Sequence, residues 1–585
     1  MEKLTDEQIK FLEVDGNIVL SACPGSGKTY IIGRKVLEYL KSWRSKYRGI
    51  AVLSFTNVAS NEIQRQINEI EDLNSFNLDF PHFNGTIDSF INSFIFLRFG
   101  YLLNKDKIRR PRIIHENFGS INYPKEECFK LNCVNNTNWF KWSGDQLLRN
   151  GVAINCSVVN KPCYAFKKSM LNNGCVTQDE VPALALKILK EYPQIAFEIA
   201  YRFPKIIIDE AQDSSCEQMD IFEIISKCGI NSVILVGDPD QAIYEWRDAS
   251  PIYFKEKVND VNWIPMFLTS NFRSSQKICD ATINFSASLN QKKIHSIGYN
   301  SDFKLKPVLL QVNQTTSKDD VVNWFYHFCL VHSINPISKD VAILTRSRMI
   351  SNIDVNDLWK TTETRYFAKA TYLWHAGLRK DAFIQCEKAL FNLMINDLYG
   401  LTSEDIKYEI NKMMEYKYWK NKVIQVLTLL PSSDVSIKIW EKDLIEILND
   451  LVRKNFISCT KNRKIKDVIK LKARIKIDGK FSVEFLEKSI RYYLETKTTS
   501  GTIYSTVHGV KGESYDAVLL LINRTKGNTL TPSLLFKGSL DNELMRIAYV
   551  AMTRPRKILV VSIPKISGKN DLSRFPNNLW DHLEI

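Results

Sequence analysis

Long apolar runs and a signal-like start are both missing from this sequence. Nowhere in its 585 residues is there a stretch close to the roughly 18–20 uninterrupted apolar residues that a membrane span requires. Residues 1–10 are charged and contain no apolar signal region. We therefore expect a cytoplasmic protein that does not contact a membrane.

Paired cysteine spacings are also missing. The 12 cysteines include no C-x-x-C pair and follow no regular pairing pattern, so we expect reduced thiols. A metal site is the alternative for five cysteines that lie close together in the sequence: Cys128, Cys133, Cys156, Cys163 and Cys175.

Basic residues exceed acidic residues. The chain has 79 Lys and Arg against 65 Asp and Glu, a net charge of +14, which favours a polyanionic partner. A lysine-rich proteome would produce the same balance, so composition alone does not separate the two explanations. Residues 461–480 contain nine basic residues, a run typical of a solvated helix face and also of a nucleic-acid or partner surface.

A phosphate-binding loop follows the first predicted strand. Eight residues fit the pattern G-x-x-x-x-G-K-[ST] with a small residue in its first position: Ala22, Cys23, Pro24, Gly25, Ser26, Gly27, Lys28 and Thr29. The glycines let the backbone turn, so that its N–H groups and the positive end of the next helix face phosphates. Lys28 is placed to neutralise the β and γ phosphates of a nucleotide, and Thr29 to bind Mg²⁺. A chance match is the alternative, but the strand before the loop and the helix after it favour a nucleotide site.

Two acidic residues follow a second apolar strand, 206–208. Asp209 is placed to give Mg²⁺ a second ligand, and Glu210 to orient or deprotonate an attacking water. A capped helix start would explain one of these acids but not both. The pair therefore predicts hydrolysis of the nucleotide.

A third segment combines a nucleotide contact with aromatic residues. Gln241, after the apolar run 233–236, is placed to sense the γ phosphate. Tyr244 and Trp246, with Arg247 beside them, offer surfaces to unpaired bases. Because Tyr and Trp usually belong to a core, a structural role is the alternative for both aromatic residues.

Apolar strands alternate with amphipathic helices in two parts of the chain, which predicts two α/β domains with parallel sheets. We expect the first domain at residues 1–92 and 178–262, interrupted by an insertion at 93–177. The second is expected at 263–345 and 499–585, interrupted by a mainly helical insertion at 346–498. Within this second insertion, apolar residues at helical spacing on both sides of Gly377 predict a helix pair.

Several motifs, in this order, resemble those of superfamily 1 DNA helicases of the UvrD/Rep/PcrA type. Besides the phosphate loop and the Asp-Glu run, they are Leu-Thr-Ser-Asn-Phe-Arg-Ser at 268–274, Thr-Val-His-Gly-Val-Lys-Gly at 506–512 and Tyr-Val-Ala-Met-Thr-Arg at 549–554. The resemblance extends from about residue 4 to residue 556 and leaves both insertions unassigned. It implies two RecA-like P-loop domains, each interrupted by a mainly helical insertion (1B and 2B), that bind ATP between them and clasp single-stranded DNA.

Matching positions carry further implied roles. Gln8 would contact the adenine edge, Phe272 would stack on the base, and Arg273 and Arg554 would act as arginine fingers from the second domain. DNA contacts are implied at Phe55, Thr56, Asn57, Thr86 and His508. Two departures stand out: Tyr30 replaces a frequent arginine near the adenine, and Glu513-Ser514 replaces the usual Leu-Glu, which puts a ribose contact in doubt.

The compact length and the motif variants look most like helicases of bacterial anti-phage systems such as Gabija. This resemblance implies an ATP- and Mg²⁺-dependent helicase or translocase that moves 3′ to 5′ on single-stranded or partly duplex DNA. It also implies an OLD-family nuclease as partner in a hetero-oligomer. A sensor that binds nucleotide and DNA ends and regulates the nuclease without processive unwinding is one alternative. A protein acting on RNA is another, since stacking and phosphate contacts occur with both nucleic acids.

Overall fold

The computed structural model of the chain describes residues 4–70, 78–103, 109–114, 140–143, 146–149, 152–153, 162–230, 232–245, 250–288, 294–346, 359, 361–394, 403–454, 486–491, 502–522, 530–565 and 572–585. These residues form two parallel β-sheets covered by helices and a separate helical body. Among them, no helix combines the length and the apolar character needed to cross a lipid bilayer.

The chain up to residue 268 builds the first sheet and the first insertion. Its strands are β1 Ile18–Ala22, β2 Ile50–Ser54, β3 Phe83–Thr86, β4 Arg112–Ile114, β5 Phe140–Ser143, β6 Gln146–Arg149, β7 Val152–Ala153, β8 Cys175–Thr177, β9 Lys205–Ile208, β10 Ser232–Gly237 and β11 Ile264–Leu268. Its helices are α1 Asp6–Glu13, α2 Lys28–Ser42, α3 Asn57–Ile70, α4 Ile87–Ile91, α5 Leu97–Phe99, α6 Pro162–Asn172, α7 Val181–Glu191, α8 Pro193–Arg202, α9 Cys216–Ser226 and α10 Pro251–Asn259.

The first sheet has the strand order β11-β1-β10-β9-β2-β3, and neighbouring strands are parallel. Both faces of its central strands are buried, because Ile18 and Leu20 face one apolar core while Val19 faces the other. Burial on two faces explains why these strands appear in the sequence as continuous apolar runs. We call this sheet and the helices on it the first lobe.

One strand lies in a different sheet from the one that the sequence predicts. The predicted boundary at residue 263 puts Ile264–Leu268 in the second domain, but β11 pairs with β1 from Ile18–Ile264 to Ala22–Leu268. The correction has a physical reason: without β11, strand β1 would leave one row of backbone groups unpaired at an edge of the sheet. The first lobe therefore extends to Leu268.

The first insertion combines helices with short strands in its described part. A π-helical turn, Asn92–Phe96, lies between α4 and α5, β4 pairs with β8, and β5 to β7 form a small antiparallel sheet. A buried ion pair joins α6 to the turn before α7, with Lys167 Nζ 2.9 Å from Glu180 Oε1. Cys163 is buried and Cys175 is half-buried, whereas Cys128, Cys133 and Cys156 lie outside the described residues.

The chain after residue 268 builds the second sheet and the second insertion. Its strands are β12 Ser270–Asn271, β13 His295–Ser296, β14 Val308–Val312, β15 Val341–Thr345, β16 Ile503–Thr506, β17 Tyr515–Leu521, β18 Pro555–Pro564 and β19 Asp581–Glu584. Its helices are α11 Gln276–Thr282, α12 Lys318–Val331, α13 Thr362–His375, α14 Arg379–Met394, α15 Ser403–Asn411, α16 Tyr416–Leu429, α17 Ile437–Arg453, α18 Pro532–Lys537 and α19 Glu543–Met552.

The second sheet has the strand order β16-β15-β17-β18-β14-β19 and is also parallel throughout. As in the first lobe, alternate residues of one strand enter different cores, since Leu519 and Leu520 of β17 lie on opposite faces. We call this sheet and its helices the second lobe. Two six-stranded parallel sheets confirm the predicted α/β class with two RecA-like domains.

The second insertion has a helical core of its own. Helices α13 and α14 confirm the predicted pair, and Gly377 lies in the turn between them with a φ of 80°. Trp419 of α16 and Trp440 of α17 are fully buried between the helices. This part is therefore a packed body with its own core, and the basic run 461–480 lies outside the described residues.

Candidate nucleotide site between the two lobes

The phosphate loop lies at the carboxyl end of β1, where ligands of parallel sheets commonly bind. Gly25 and Gly27 have φ values of 73° and 77°, in the left-handed region that glycine adopts readily. Gly27 caps α2 without any side-chain hydrogen bond to the first turn, and α2 begins at Lys28. The amides at this helix start are thus placed to bind an anion.

A segment of the second lobe is hydrogen-bonded to this loop. The Phe272 N–H donates to the Gly25 carbonyl at 2.8 Å, and Asn271 Nδ2 donates to the Pro24 carbonyl at 2.8 Å. A Cβ atom added to Gly25 would lie 2.7 Å from Arg273 Cβ. The missing side chain at Gly25 therefore lets Arg273 approach the loop.

Asp209 and Glu210 follow β9, one strand away from β10 and two from β1. Asp209 is buried, and its carboxylate accepts the Glu210 N–H at 2.9 Å. Burial, followed by the charge of Glu210, raises the pKa of Asp209. Burial acts in the same direction on Glu210, but several favourable interactions, led by the charges of Lys28 and Lys511, together outweigh it and lower the pKa of that carboxyl. Lys28 Nζ lies 3.9 Å from Glu210 Oε1, so the lysine of the loop and the acidic pair share one site.

The donor chemistry of this site fits magnesium. Thr29 offers a hydroxyl in the first turn of α2, and Asp209 offers a buried carboxylate. Mg²⁺ prefers oxygen ligands and is usually bound by one or two protein side chains together with substrate phosphates. Within the described part of the chain, no group of three His, Cys, Asp or Glu side chains could hold a metal ion by itself.

Two arginines of the second lobe reach the same site. Arg554 Nη2 donates to Gln241 Oε1 at 2.5 Å, while Gln241 Nε2 donates to Asp238 Oδ2 at 2.6 Å. Arg273 Nη1 donates to the Thr553 carbonyl at 3.0 Å. Burial, and then the charge of Arg554, lowers the pKa of Arg273 to about 9. Two guanidinium groups, that of Arg554 buried and that of Arg273 partly buried, together form a strong site for an anion.

A cavity of about 550 Å³ opens beside the loop, between the lobes. Its lining residues are Leu4, Gln8, Gly25, Gly27, Tyr30, Phe272, Arg273, Ser514 and Arg556. Tyr30 and Phe272 bring aromatic rings from different lobes. Gln8 Nε2 donates to the Ser26 carbonyl at 3.3 Å, and Gln8 Oε1 accepts the Thr5 N–H at 3.1 Å. The amide of Gln8 therefore supports the phosphate loop in this structure.

A second set of predicted residues forms an aromatic cluster across the lobe boundary. The rings of Phe55 and Tyr244 lie 4.7 Å apart, and those of Tyr244 and His508 lie 5.7 Å apart. One ring nitrogen of His508, Nε2, is 2.8 Å from the Ile243 carbonyl. Burial lowers the pKa of His508, so a neutral imidazole with its proton on Nε2 fits this contact.

The other predicted DNA contacts lie at helix starts or outside the described residues. The Thr56 hydroxyl accepts the Ala59 N–H at 3.2 Å, and the Thr86 hydroxyl accepts the Ser89 N–H at 3.1 Å. These threonines thus cap the starts of α3 and α4, and Asn57 is the first residue of α3. Trp246 and Arg247 lie outside the described residues.

Four residues at or beside the site make contacts that did not follow from the motifs alone. Ser514 and Arg556 line the cavity, and Lys511 forms an ion pair with Asp213 and donates to the Gln241 carbonyl at 2.8 Å. Arg546 donates to the Ala242 carbonyl at 2.6 Å. Lys511 lies within the motif at 506–512, so a lysine between two matched residues was the available signal. No comparable signal marks Arg546.

Comparison with known families covers most of the first lobe and the C-terminal part of the second. The UvrD/REP helicase N-terminal domain matches residues 4–126 and 152–262, and the UvrD-like helicase C-terminal domain matches residues 378–565. The chain belongs to the UvrD-like helicases. The two matched families meet at the site described above, since the first contains Lys28, Asp209 and Gln241 and the second contains Arg554.

Individual relatives of this helicase share part of its length. A probable DNA helicase II homolog of Mycoplasma capricolum is 23% identical over 59% of this chain and 49% of its own length. The Gabija protein GajB of Bacillus cereus is 30% identical over 47% of each chain. An ATP-dependent helicase/nuclease protein of Ruminiclostridium cellulolyticum is 32% identical over 25% of this chain and 13% of its own length. The matched region thus spans about half the length of the first two relatives.

Proposed function

We propose that this UvrD-like helicase is an ATP-driven motor that moves 3′ to 5′ along single-stranded DNA and separates duplexes that have a single-stranded tail. The observation that carries the proposal is the convergence of two arginines from one lobe on the phosphate loop and Gln241 of the other. A binding protein for nucleotides needs no such groups from a second α/β domain. A motor does, because hydrolysis must depend on how the two lobes sit around the nucleotide.

Each residue of the site has a role in hydrolysis under this proposal. Lys28 and the loop amides bind the β and γ phosphates of ATP, and Thr29 and Asp209 hold Mg²⁺, which neutralises phosphate charge when bound. Glu210 orients the attacking water and accepts its proton. Arg273 and Arg554 stabilise the charge that develops as the γ phosphate leaves. Gln241 links Arg554 to the γ phosphate.

The adenosine part of ATP occupies the cavity between the lobes. Phe272 stacks on the base, and Gln8 borders the adenine edge while it supports the loop through Ser26. Tyr30 lines the cavity from the first lobe, and under this proposal it contacts the base. Ser514 and Arg556 line the cavity from the second lobe. They contact the ribose in place of the glutamate of the usual Leu-Glu, which this sequence lacks after Gly512.

DNA binds on the aromatic cluster of Phe55, Tyr244 and His508. Stacking on such rings needs no particular base, which suits a protein that moves along a strand. Further DNA contacts come from residues at the starts of α3 and α4 and from two residues that follow Tyr244 in the sequence: Thr56, Asn57, Thr86, Trp246 and Arg247. The net charge of +14 adds attraction to phosphates that weakens with salt.

The 30% identity with Gabija protein GajB supports a role in anti-phage defence. In this role the chain assembles with an OLD-family nuclease in the cytoplasm, and the helicase delivers or exposes DNA to that nuclease. Mixing the purified chain with such a nuclease and measuring the mass of the assembly tests the partnership. Two separate species at micromolar concentrations would exclude a stable complex.

ATP hydrolysis with and without a single-stranded oligodeoxynucleotide tests the motor. We expect strong stimulation by DNA, its loss in Lys28→Ala, and loss of hydrolysis with retained ATP binding in Glu210→Gln. Lys227→Ala is the matched control, because Lys227 pairs with Glu223 on the surface of α9 and α9 contributes nothing to the cavity. Hydrolysis that is equal with and without DNA would contradict the proposal.

Strand separation distinguishes the motor from a sensor that regulates the nuclease. A duplex with a 3′ single-stranded tail should be unwound, whereas the same duplex with a 5′ tail should persist. DNA-stimulated hydrolysis without separation of either substrate would favour the sensor. Competition between DNA and RNA oligonucleotides at one stated salt concentration tests the choice of nucleic acid.

A further inference from the structure

Three consecutive backbone carbonyls after β10 accept hydrogen bonds from side chains of the second lobe. Lys511 Nζ donates to the Gln241 carbonyl at 2.8 Å, Arg546 Nε to the Ala242 carbonyl at 2.6 Å, and His508 Nε2 lies 2.8 Å from the Ile243 carbonyl. These carbonyls belong to a segment of the first lobe by sequence. Their hydrogen-bond donors all come from the second lobe.

The packing of this segment, residues 240–245, points the same way. Ile243 is fully buried and belongs to an apolar core of the second lobe, together with Val507 and Met545. The Asp240 carboxylate accepts hydrogen bonds from the backbone of Ala287 and Ser288 of the second lobe. Segment 240–245 is thus covalently joined to the first lobe but is held mainly by the second.

Arg546 makes the most extensive contacts with this segment. Its side chain is buried, and besides the Ala242 carbonyl it binds the Asp541 carbonyl and the Glu245 carboxylate. Glu245 is held a second time, because its N–H donates to Glu543 Oε1 at 3.0 Å. A planar guanidinium with several fixed donors is suited to hold a main chain in one position.

The two ends of segment 240–245 face different ligands. Gln241 contacts Arg554 and Asp238 at the nucleotide site, and Tyr244 lies between Phe55 and His508 in the aromatic cluster. First-lobe partners also contact the segment, since Asp238 binds Gln241 and Phe55 packs on Tyr244. Because the carbonyls between these residues are bound to the second lobe, we expect a rotation of that lobe to shift both the Gln241 amide and the Tyr244 ring. The segment is therefore a mechanical connection between the two sites.

We propose that Arg546 is a positioning residue that couples nucleotide binding to DNA binding by fixing segment 240–245 to the second lobe. This inference rests on the proposed function, since it requires that the aromatic cluster binds DNA. Arg546 itself touches neither ligand. Its loss should leave both binding sites present but remove their dependence on each other.

The test is the factor by which a non-hydrolysable ATP analogue with Mg²⁺ changes the affinity for an oligodeoxythymidylate. Couplings of this kind typically lie at about 5–150-fold. In Arg546→Met we expect a factor near 1, with DNA affinity in the absence of nucleotide within about threefold of wild type. Arg546→Lys should be intermediate, because an ammonium group can bind the Ala242 carbonyl but cannot reproduce the guanidinium fork.

Lys255→Met is the matched control. It also removes a cation that bridges the lobes, since Lys255 Nζ lies 2.8 Å from Asp541 Oδ1, but this pair is on the surface and does not touch segment 240–245. We expect the wild-type factor in this variant. Glu245→Gln is a second probe for the case that Arg546→Met folds poorly. It weakens the ion pair between the segment and Arg546 without removing a buried side chain, so it should reduce the factor.

Failure of this inference and failure of the proposed function would give different results. The inference would be overturned, and the motor left intact, if Arg546→Met showed the wild-type factor. If the methionine variant does not fold, the same conclusion follows from a wild-type factor in both Arg546→Lys and Glu245→Gln. If the DNA affinity of the wild-type chain does not change with the analogue, and its ATP hydrolysis is not stimulated by DNA, the proposed function and the inference are both overturned.

Discussion

Replacement of Gly25 by alanine tests whether the second lobe must approach the phosphate loop for hydrolysis. An added Cβ would lie 2.7 Å from Arg273 Cβ and 2.8 Å from Asn271 Oδ1. Carbon atoms in contact prefer about 3.5–4.0 Å. The alanine must therefore push segment 270–273 away by about 1 Å, and Arg273 with it.

The effect has two parts that can be separated. A left-handed φ of 73° at residue 25 costs an alanine about 1–2 kcal/mol of stability. The displacement of Arg273 acts on the reaction, because a misplacement of about 1 Å can reduce a rate about 100-fold. At about 1.36 kcal/mol for each factor of ten, this is about 2.7 kcal/mol of lost transition-state stabilisation.

Gly229→Ala reproduces the first part alone, so comparison with it isolates the second. Gly229 has a similar φ of 81°, but an added Cβ there would meet no atom within 4 Å. We expect both variants to lose a similar free energy of unfolding, measured by urea denaturation, and only Gly25→Ala to lose about 100-fold in DNA-stimulated ATP turnover. Turnover within threefold of wild type in Gly25→Ala, or an equal loss in Gly229→Ala, would refute this reasoning.

Three further outcomes follow from single contacts. Lys167→Met removes the cation paired with the buried Glu180 carboxylate and should lower the free energy of unfolding by about 3–5 kcal/mol, measured by urea denaturation. Adding Glu180→Gln should recover part of this loss. An equal loss in the single and the double variant would argue against the pair. Burial lowers the pKa of His508 below its usual 6.5, so the folded protein binds this proton more weakly than the unfolded chain and loses stability as the pH falls through about 6.5. The loss should be smaller in His508→Asn, and identical pH profiles would contradict it. Tyr244→Ala should weaken single-stranded DNA binding by about 1–3 kcal/mol while Tyr244→Phe retains it; equal affinities of the three proteins would exclude stacking on this ring.

Local patterns were sufficient to predict the elements that hold the first half of the site. A glycine-rich turn between a strand and a helix specifies a phosphate loop because the same few residues provide both the backbone conformation and the lysine. The helix pair around Gly377 is equally local, since its apolar spacing and its turn residue are close in sequence. For such features, neighbours along the chain carry the whole signal.

The sheet assignment of β11 could not be predicted in this way. Residues 264–268 form an apolar run at the junction of two α/β patterns, and such a run suits either sheet. Pairing with β1 depends on which sheet has an unpaired edge nearby, and this is a property of the assembled first lobe. The contact of Arg273 with Gly25 is of the same kind, because its partners are more than 240 residues apart in the sequence.

Segment 240–245 shows most clearly which contacts cannot be predicted from the sequence. Its sequence suggests a nucleotide sensor and stacking aromatics, but not that its carbonyls are bound by Lys511, Arg546 and His508. Backbone carbonyls are identical at every residue, so a sequence contains no mark of which ones are bound by a distant side chain.

The amino-acid sequence by itself was enough to predict a nucleotide site at a phosphate loop, two parallel α/β lobes and a place among the UvrD-like helicases. Those features rest on residue types at short spacings. Only the tertiary structure decided which strands complete each sheet, how Arg273 and Arg554 meet the loop, and which lobe holds segment 240–245. Such contacts join residues far apart in the chain, and their geometry exists only once both lobes have folded against each other.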